Sequence, residues 1–178
     1  MKRLLPLACF LPALLMGLVA LGLTGGYAVN VTPSLERGIY KASTASPSRG
    51  DIVGFCLDGA GAHLAAERAY LAPGSCTSGL RPLLKYLAGM PGDVVTVTPD
   101  GILCGPAAGP RCLWPVKALP VDSQGRPLPP SLLHDGVIPA GQALVLTAHP
   151  GGFDSRYFGL VPLAGLTTYT PFFITGGR

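Results

Sequence analysis

LLKYLAGMPGDVV, residues 83–95, is the stretch that decides the fold. An apolar run enters Met90-Pro91-Gly92-Asp93, and alternating Val and Thr leave it over residues 94–98. Pro followed by Gly stops a helix and favours a tight turn. Both flanks, 83–88 and 94–98, therefore read as strands. Working outwards, residues 52–55 (IVGF) read as a buried strand behind an Arg49-Gly50-Asp51 turn. Residues 142–147 form another, alternating into His149-Pro150-Gly151-Gly152. Residues 30–42 alternate weakly, and Pro33 bars a regular helix there. Only residues 60–71 carry a helical pattern, with Ala and Leu on one side and Glu67 and Arg68 on the other. Pro73-Gly74 is expected to end it. Residues 101–135, rich in Gly and Pro, read as an excursion from the sheet, and FDSRYFGLVPLAGL (153–166) as a charged turn followed by a strand. The expectation is one mostly-β antiparallel domain with one short helix.

Composition agrees. Only 12% of the 178 residues are charged, while there are 25 Gly and 19 Pro, a balance that disfavours long surface helices and favours short strands and many turns. With 48% hydrophobic residues the chain has enough apolar surface to fold. The net charge of +4 is modest, and no basic stripe interleaved with aromatics marks a nucleic-acid partner.

Residues 4–23 are uncharged and follow Lys2 and Arg3. At about 1.5 Å per residue, such a helix spans the roughly 30 Å hydrocarbon core of a bilayer. Charge before the run and none close behind it predict a cytoplasmic N-terminus and an exported remainder. Gly26-Tyr27-Ala28 offers a small-x-small cleavage site, so a signal peptide competes with an uncleaved anchor; the length of the run favours the anchor. The expected division is an anchor or signal sequence at 1–28 and a periplasmic domain at 29–178, giving a single-pass protein of the inner membrane.

Setting aside Cys9 in the apolar run, four cysteines remain, an even number that suits an exported disulfide framework. Nearest-in-sequence pairing gives Cys56–Cys76 and Cys104–Cys112, although three connectivities are open. Close CxxC pairs are absent and no HxxxH-type spacing links His63, His134 and His149, so no metal site is expected.

At this point four segments, in order, carry a resemblance. Ser34-Leu35-Glu36-Arg37-Gly38-Ile39-Tyr40 resembles an S-x-x-R-G-[LI]-Y nucleophile segment. Arg49 to Val53, followed by Cys56, resembles an R-G-D-[IV]-V strand. Leu83 to Asp93 resembles L-L-K-x-[VL]-A-x-x-P-G-D, and FDSRYFG is intact at residues 153–159. Together they resemble the signal-peptidase clan of Ser/Lys serine proteases, and within it the TraF-type conjugative transfer peptidases. Ser75-Cys76 also looks like that subgroup. The chain departs at Leu35 and Glu36, where the family usually has Met and often Pro. It departs again at Tyr86, where general leader peptidases carry Arg, and at Gly152, where they carry a serine that helps hold the lysine.

The resemblance implies a signal-peptidase-like domain in which Ser34 is the nucleophile and Lys85 its base. It implies that the Ser34 amide and the Thr32 hydroxyl donate to the oxyanion, and that Asp154, beside Arg156, supports the dyad. Ser155 is a candidate to hydrogen-bond Lys85 in place of the serine missing at position 152. The residues themselves fit: a lysine acts as a base only when neutral, desolvation lowers its pKa, and Lys85 lies among Leu80, Pro82, Leu83, Leu84 and Leu87 with no acid within seven positions. Against this stand a surface lysine on a strand edge, a turn serine, and a surface ion pair between Asp154 and Arg156. No cofactor is implied. The implied substrate is an exported protein, a pilin precursor or a signal peptide, cut after small residues beside membrane lipid, with cyclisation of the product a known outcome in the family. General leader peptidase activity, or a silent structural part of a secretion channel, are the alternatives.

Overall fold

A computed structural model describes residues 26–175; the expected membrane run at 4–23 lies outside them. The described chain is mostly β, in two antiparallel sheets. The larger has seven strands in the order β1-β2-β11-β3-β4-β9-β10 and the smaller has four, β7-β6-β5-β8. The larger comprises β1 (Tyr27–Asn30), β2 (Gly38–Ala42), β3 (Ile52–Phe55), β4 (Leu83–Gly89), β9 (Gln142–Leu146), β10 (Val161–Pro162) and β11 (Thr167–Ile174). The smaller comprises β5 (Asp93–Thr98), β6 (Gly101–Pro106), β7 (Cys112–Trp114) and β8 (Gly136–Val137). Two helices interrupt them, α1 (Gly59–Glu67) and α2 (Ser155–Phe158). Among the described residues, no helix is long and apolar enough to cross a membrane.

β4 lies between β3 and β9, so both its edges are paired. Successive side chains of a strand face opposite ways. Leu83, Lys85 and Leu87 therefore share one face, at 5%, 4% and 0% exposure. The pleat carries Lys85 inward with its leucine neighbours, which removes the surface-lysine reading. At the turn that follows, the Asp93 carboxylate accepts from the Met90 amide (2.8 Å) and from Arg49 Nε (3.0 Å). Arg49 sits in the turn before β3, so Asp93 ties both expected turns together.

Four expectations change. The helix stops at Glu67, four residues short of Leu71. Ala69 takes a left-handed conformation (φ 54°), its amide donates to Ala66 O, and the Tyr70 amide donates to Ala65 O. That closes a Schellman-type cap, with Ala in the place Gly usually takes. The excursion at 101–135 is partly sheet: β6 and β7 join β5 in the smaller sheet, and the rest is loop. The FDSR segment is a helical turn, α2, with Asp154 as its N-cap accepting from the Arg156 amide at 3.1 Å. The domain strand β1 begins at Tyr27, inside the stretch assigned to the anchor.

Of the two expected disulfides, Cys56–Cys76 forms and Cys104–Cys112 does not. Cys104 and Cys112 are register partners on β6 and β7. The Cys104 sulfur, however, is buried against the Gly89 backbone, where a Cβ would meet it at 2.6 Å, while Cys112 lies exposed on the edge strand. Burial pushes the Cys104 thiol up to about 11.

Candidate active site

Ser34 sits half-buried in the turn that joins β1 to β2. Lys85 sits at the third position of β4. The two line one cavity of about 760 Å³, together with Thr32, Gly152, Phe153 and Tyr157. Its lining includes four exposed apolar residues, Val29, Val31, Leu119 and Val121.

The Lys85 amine is held at about 8, well below its ordinary value of 10.5. Desolvation is the main cause; the Asp154 carboxylate opposes it and the Arg156 guanidinium adds to it. A large fraction of the amine is then neutral at mildly alkaline pH, as a general base requires.

Asp154 and Arg156 are 0% and 1% exposed, so the surface ion pair expected of a turn is a buried one. Arg156 Nε and the Nη2 group donate to the two Asp154 oxygens at 2.8 and 2.9 Å. The remaining guanidinium protons reach the carbonyls of Lys117, Pro150, His149 and Gly152. This is the saturation a buried charge needs. One Asp154 oxygen also accepts from the Thr147 amide at 3.0 Å. The pair thus braces the loop at 147–154.

Thr147 is the residue that sequence reasoning missed on this side. It follows β9, whose register sets Leu146 opposite Tyr86, so Thr147 comes next to Lys85. Its hydroxyl donates to the carbonyl of Ser34. Gly152 explains itself here too: a Cβ at that position would lie 2.1 Å from Thr147 Cγ2 and 3.1 Å from the His149 carbonyl. Thr147 fills the space a serine at 152 would need. Ser155, the candidate for that serine's role, is fully buried, and its Oγ accepts from the Val145 amide at 3.0 Å.

On the other side, Thr32 Oγ1 is 2.7 Å from Ser34 Oγ and donates to Asn30 Oδ1 at 2.8 Å. Asn30, at the end of β1, was also missed. Its amide nitrogen reaches the carbonyls of Thr32, Leu35 and Glu36 at 2.9, 3.0 and 3.1 Å. The available signal was an Asn two positions before a Thr-Pro-Ser turn, a residue type whose short amide pins nearby backbone.

A family model described as "Signal peptidase, peptidase S26" matches residues 2–174. The conjugal transfer protein TraF of Agrobacterium fabrum is 34% identical over 158 residues, covering 85% of this chain and 84% of its own length. The plasmid transfer protein TraF of Escherichia coli is 32% identical over 153 residues, covering 85% and 84%. Among solved structures, a signal peptidase I of Enterococcus faecalis V583 is 22% identical, covers 70% of this chain and 96% of its own, and has a TM-score of 0.38.

Proposed function

The chain belongs to the peptidase S26 signal peptidase family, and from that premise we propose that it is a serine endopeptidase whose Ser34 hydroxyl attacks the scissile carbonyl while neutral Lys85 takes its proton. The observation that carries this reading is the burial of Lys85 in the same cavity that Ser34 lines, with its pKa lowered to about 8.

In the proposed cycle an extended substrate segment lies in the cavity and pairs by main-chain hydrogen bonds. The Ser34 O–H bond breaks, its oxygen bonds to the carbonyl carbon, and the proton passes to Lys85. The resulting ammonium gives that proton to the leaving amine as the acyl-enzyme forms. Water, or a second amine, then releases the acyl group. The Ser34 amide is the oxyanion donor, and Thr32 a second one. Similarity to the TraF proteins supports a substrate of a conjugative transfer system, a pilin precursor or another exported protein, cut after small residues. Cyclisation corresponds to interception of the acyl group by the substrate's own amine.

The lipid side of this reading rests on an exposed apolar patch. Val29 and Val31 are 54% and 65% exposed, and Phe172 and Phe173 on β11 are 63% and 56%. Tyr27 packs edge-on against Phe172 at 5.2 Å, so the patch is continuous across β1, β2 and β11. It begins a few residues beyond the apolar run at 4–23, which suits a periplasmic domain seated on the inner membrane.

The test is cleavage of a candidate pilin precursor by the detergent-solubilised protein and by its Ser34→Ala and Lys85→Ala variants, read by mass spectrometry. The reading expects products from the unmodified protein alone. Cleavage that persists in both variants rules the dyad out.

A further inference from the structure

We propose that Asn30 is a positioning residue for the nucleophile: it holds the hydroxyl proton of Thr32, and through Thr32 it sets where the Ser34 proton points at rest. The inference rests on the Ser34–Lys85 reading and adds to it a third residue, which acts on Ser34 through Thr32.

The proton count settles the directions. Reversing the Asn30 amide would set its oxygen against three carbonyl oxygens, so the orientation with nitrogen toward Thr32, Leu35 and Glu36 is fixed by its partners. Asn30 Oδ1 can only accept, and it receives both the Thr32 amide at 3.3 Å and the Thr32 hydroxyl at 2.8 Å. Thr32 has one hydroxyl proton, and Asn30 takes it. At the 2.7 Å contact between Thr32 Oγ1 and Ser34 Oγ, Ser34 must therefore be the donor. The resting proton of the nucleophile faces Thr32 and not Lys85.

Two consequences follow for catalysis. Ser34 must turn its O–H from Thr32 to the Lys85 amine before attack. Thr32 can donate to an oxyanion only by turning its proton from Asn30, which still holds Thr32 in place through the Thr32 amide, so loss of Asn30 displaces that donor. Apart from Thr147 on the Ser34 carbonyl and Thr175 on the Arg37 carbonyl, the turn is held from within. Thr32, Pro33, Glu36 and Arg37 are exposed, while Asn30 is only 8% exposed and bonds three of the turn's carbonyls. The Tyr40 hydroxyl shares one of them, donating to Glu36 O at 2.6 Å.

The experiment is a double-mutant cycle on Asn30→Ala and Thr32→Val, with kcat and KM measured on an internally quenched peptide that the wild-type protein cleaves. Asn30→Ala is expected to lower kcat roughly 10²-fold, the scale of a small misplacement of a reacting group, with KM changed less than about threefold. The double variant should be at least about tenfold more active than the product of the two single effects, because both substitutions break the same relay. Thr32→Ser keeps the hydroxyl, and in its background Asn30→Ala should cost the same factor as in wild type. Additive losses in the Thr32→Val cycle would reduce Asn30 to a tie for the turn and overturn the proposal. A readout that leaves Asn30 intact guards against misfolding of its variant. The Asn30 side-chain amide protons should exchange slowly by NMR and shift on Thr32→Val; free exchange with no shift overturns the proposal as well. Ser34→Ala and Lys85→Ala run alongside separate the two failures. Cleavage surviving in those variants sinks the dyad, whereas their inactivity together with additivity sinks only the role of Asn30.

Discussion

Thr147 donates its hydroxyl proton to the main-chain carbonyl of Ser34, a hydrogen bond across 113 residues of sequence. Thr147 is itself fully buried, and its amide is held by Asp154. The Ser34 backbone is thereby fixed to the buried ion pair whose charges act on Lys85. Replacing Thr147 with Val keeps the shape and removes the donor. We expect a stability loss of about 1–2 kcal/mol from the unpaired carbonyl and a fall of roughly 10–100-fold in kcat/KM from the loosened nucleophile. Chemical denaturation and peptide cleavage measured on the same preparation check both.

Gly152 cannot be returned to the serine that leader peptidases carry. Its Cβ would overlap Thr147 Cγ2. Gly152→Ala should therefore destabilise the fold by about 1–3 kcal/mol, as overpacking does. Combining it with Thr147→Ser, which removes Cγ2 but keeps the hydroxyl, should restore much of that loss. Melting curves of the two single variants and the double one test this.

Asp154 raises the Lys85 pKa by its charge, against the larger effect of burial. Asp154→Asn should lower that pKa further and move the acid limb of the pH–rate profile to lower pH. It also strands the Arg156 guanidinium, a loss on the scale of about 3–5 kcal/mol for a broken buried pair. A profile that stays in place, measured on the folded fraction, would remove Asp154 from the electrostatics of the base.

Lys85 costs stability where it is charged. Its folded pKa is about 8 and its ordinary value 10.5, so between these values the unfolded chain binds more protons, and stability rises with pH across that window. Below about 8 the full penalty of the buried cation is present. Lys85→Met should then stabilise the domain by roughly 1–3 kcal/mol near neutral or lower pH while abolishing cleavage, with the gain shrinking as pH rises toward 10.5. Denaturant titrations at several pH values decide it.

Much of this was legible in the chain. The Pro-Gly-Asp turn and its flanking strands came directly from residue type. The strand at 52–55 has the expected bounds, Ile52–Phe55, and Lys85 was marked by its leucine neighbours before its burial was known. What was not legible depends on contacts distant in sequence. The helix was read too long because Tyr70 leaves it to pack on Phe153 (5.2 Å) and to donate to Asp122 (2.7 Å). Asp154 and Arg156 look like surface charges until Lys117, His149 and Pro150 are brought around them. The second disulfide was expected from spacing alone, and spacing does not say which face of a sheet a sulfur enters. Thr147 has no local signature, since it reaches the Ser34 carbonyl across 113 residues, whereas Asn30 bonds within its own turn and its signal was local.

The pH dependence of kcat/KM from about pH 6 to about pH 10, on a peptide whose own groups do not titrate there, tests the central claim most directly. If neutral Lys85 takes the proton from Ser34, log(kcat/KM) rises with unit slope and levels off around a midpoint near 8. A flat profile, or a midpoint at the ordinary lysine value of 10.5, contradicts it.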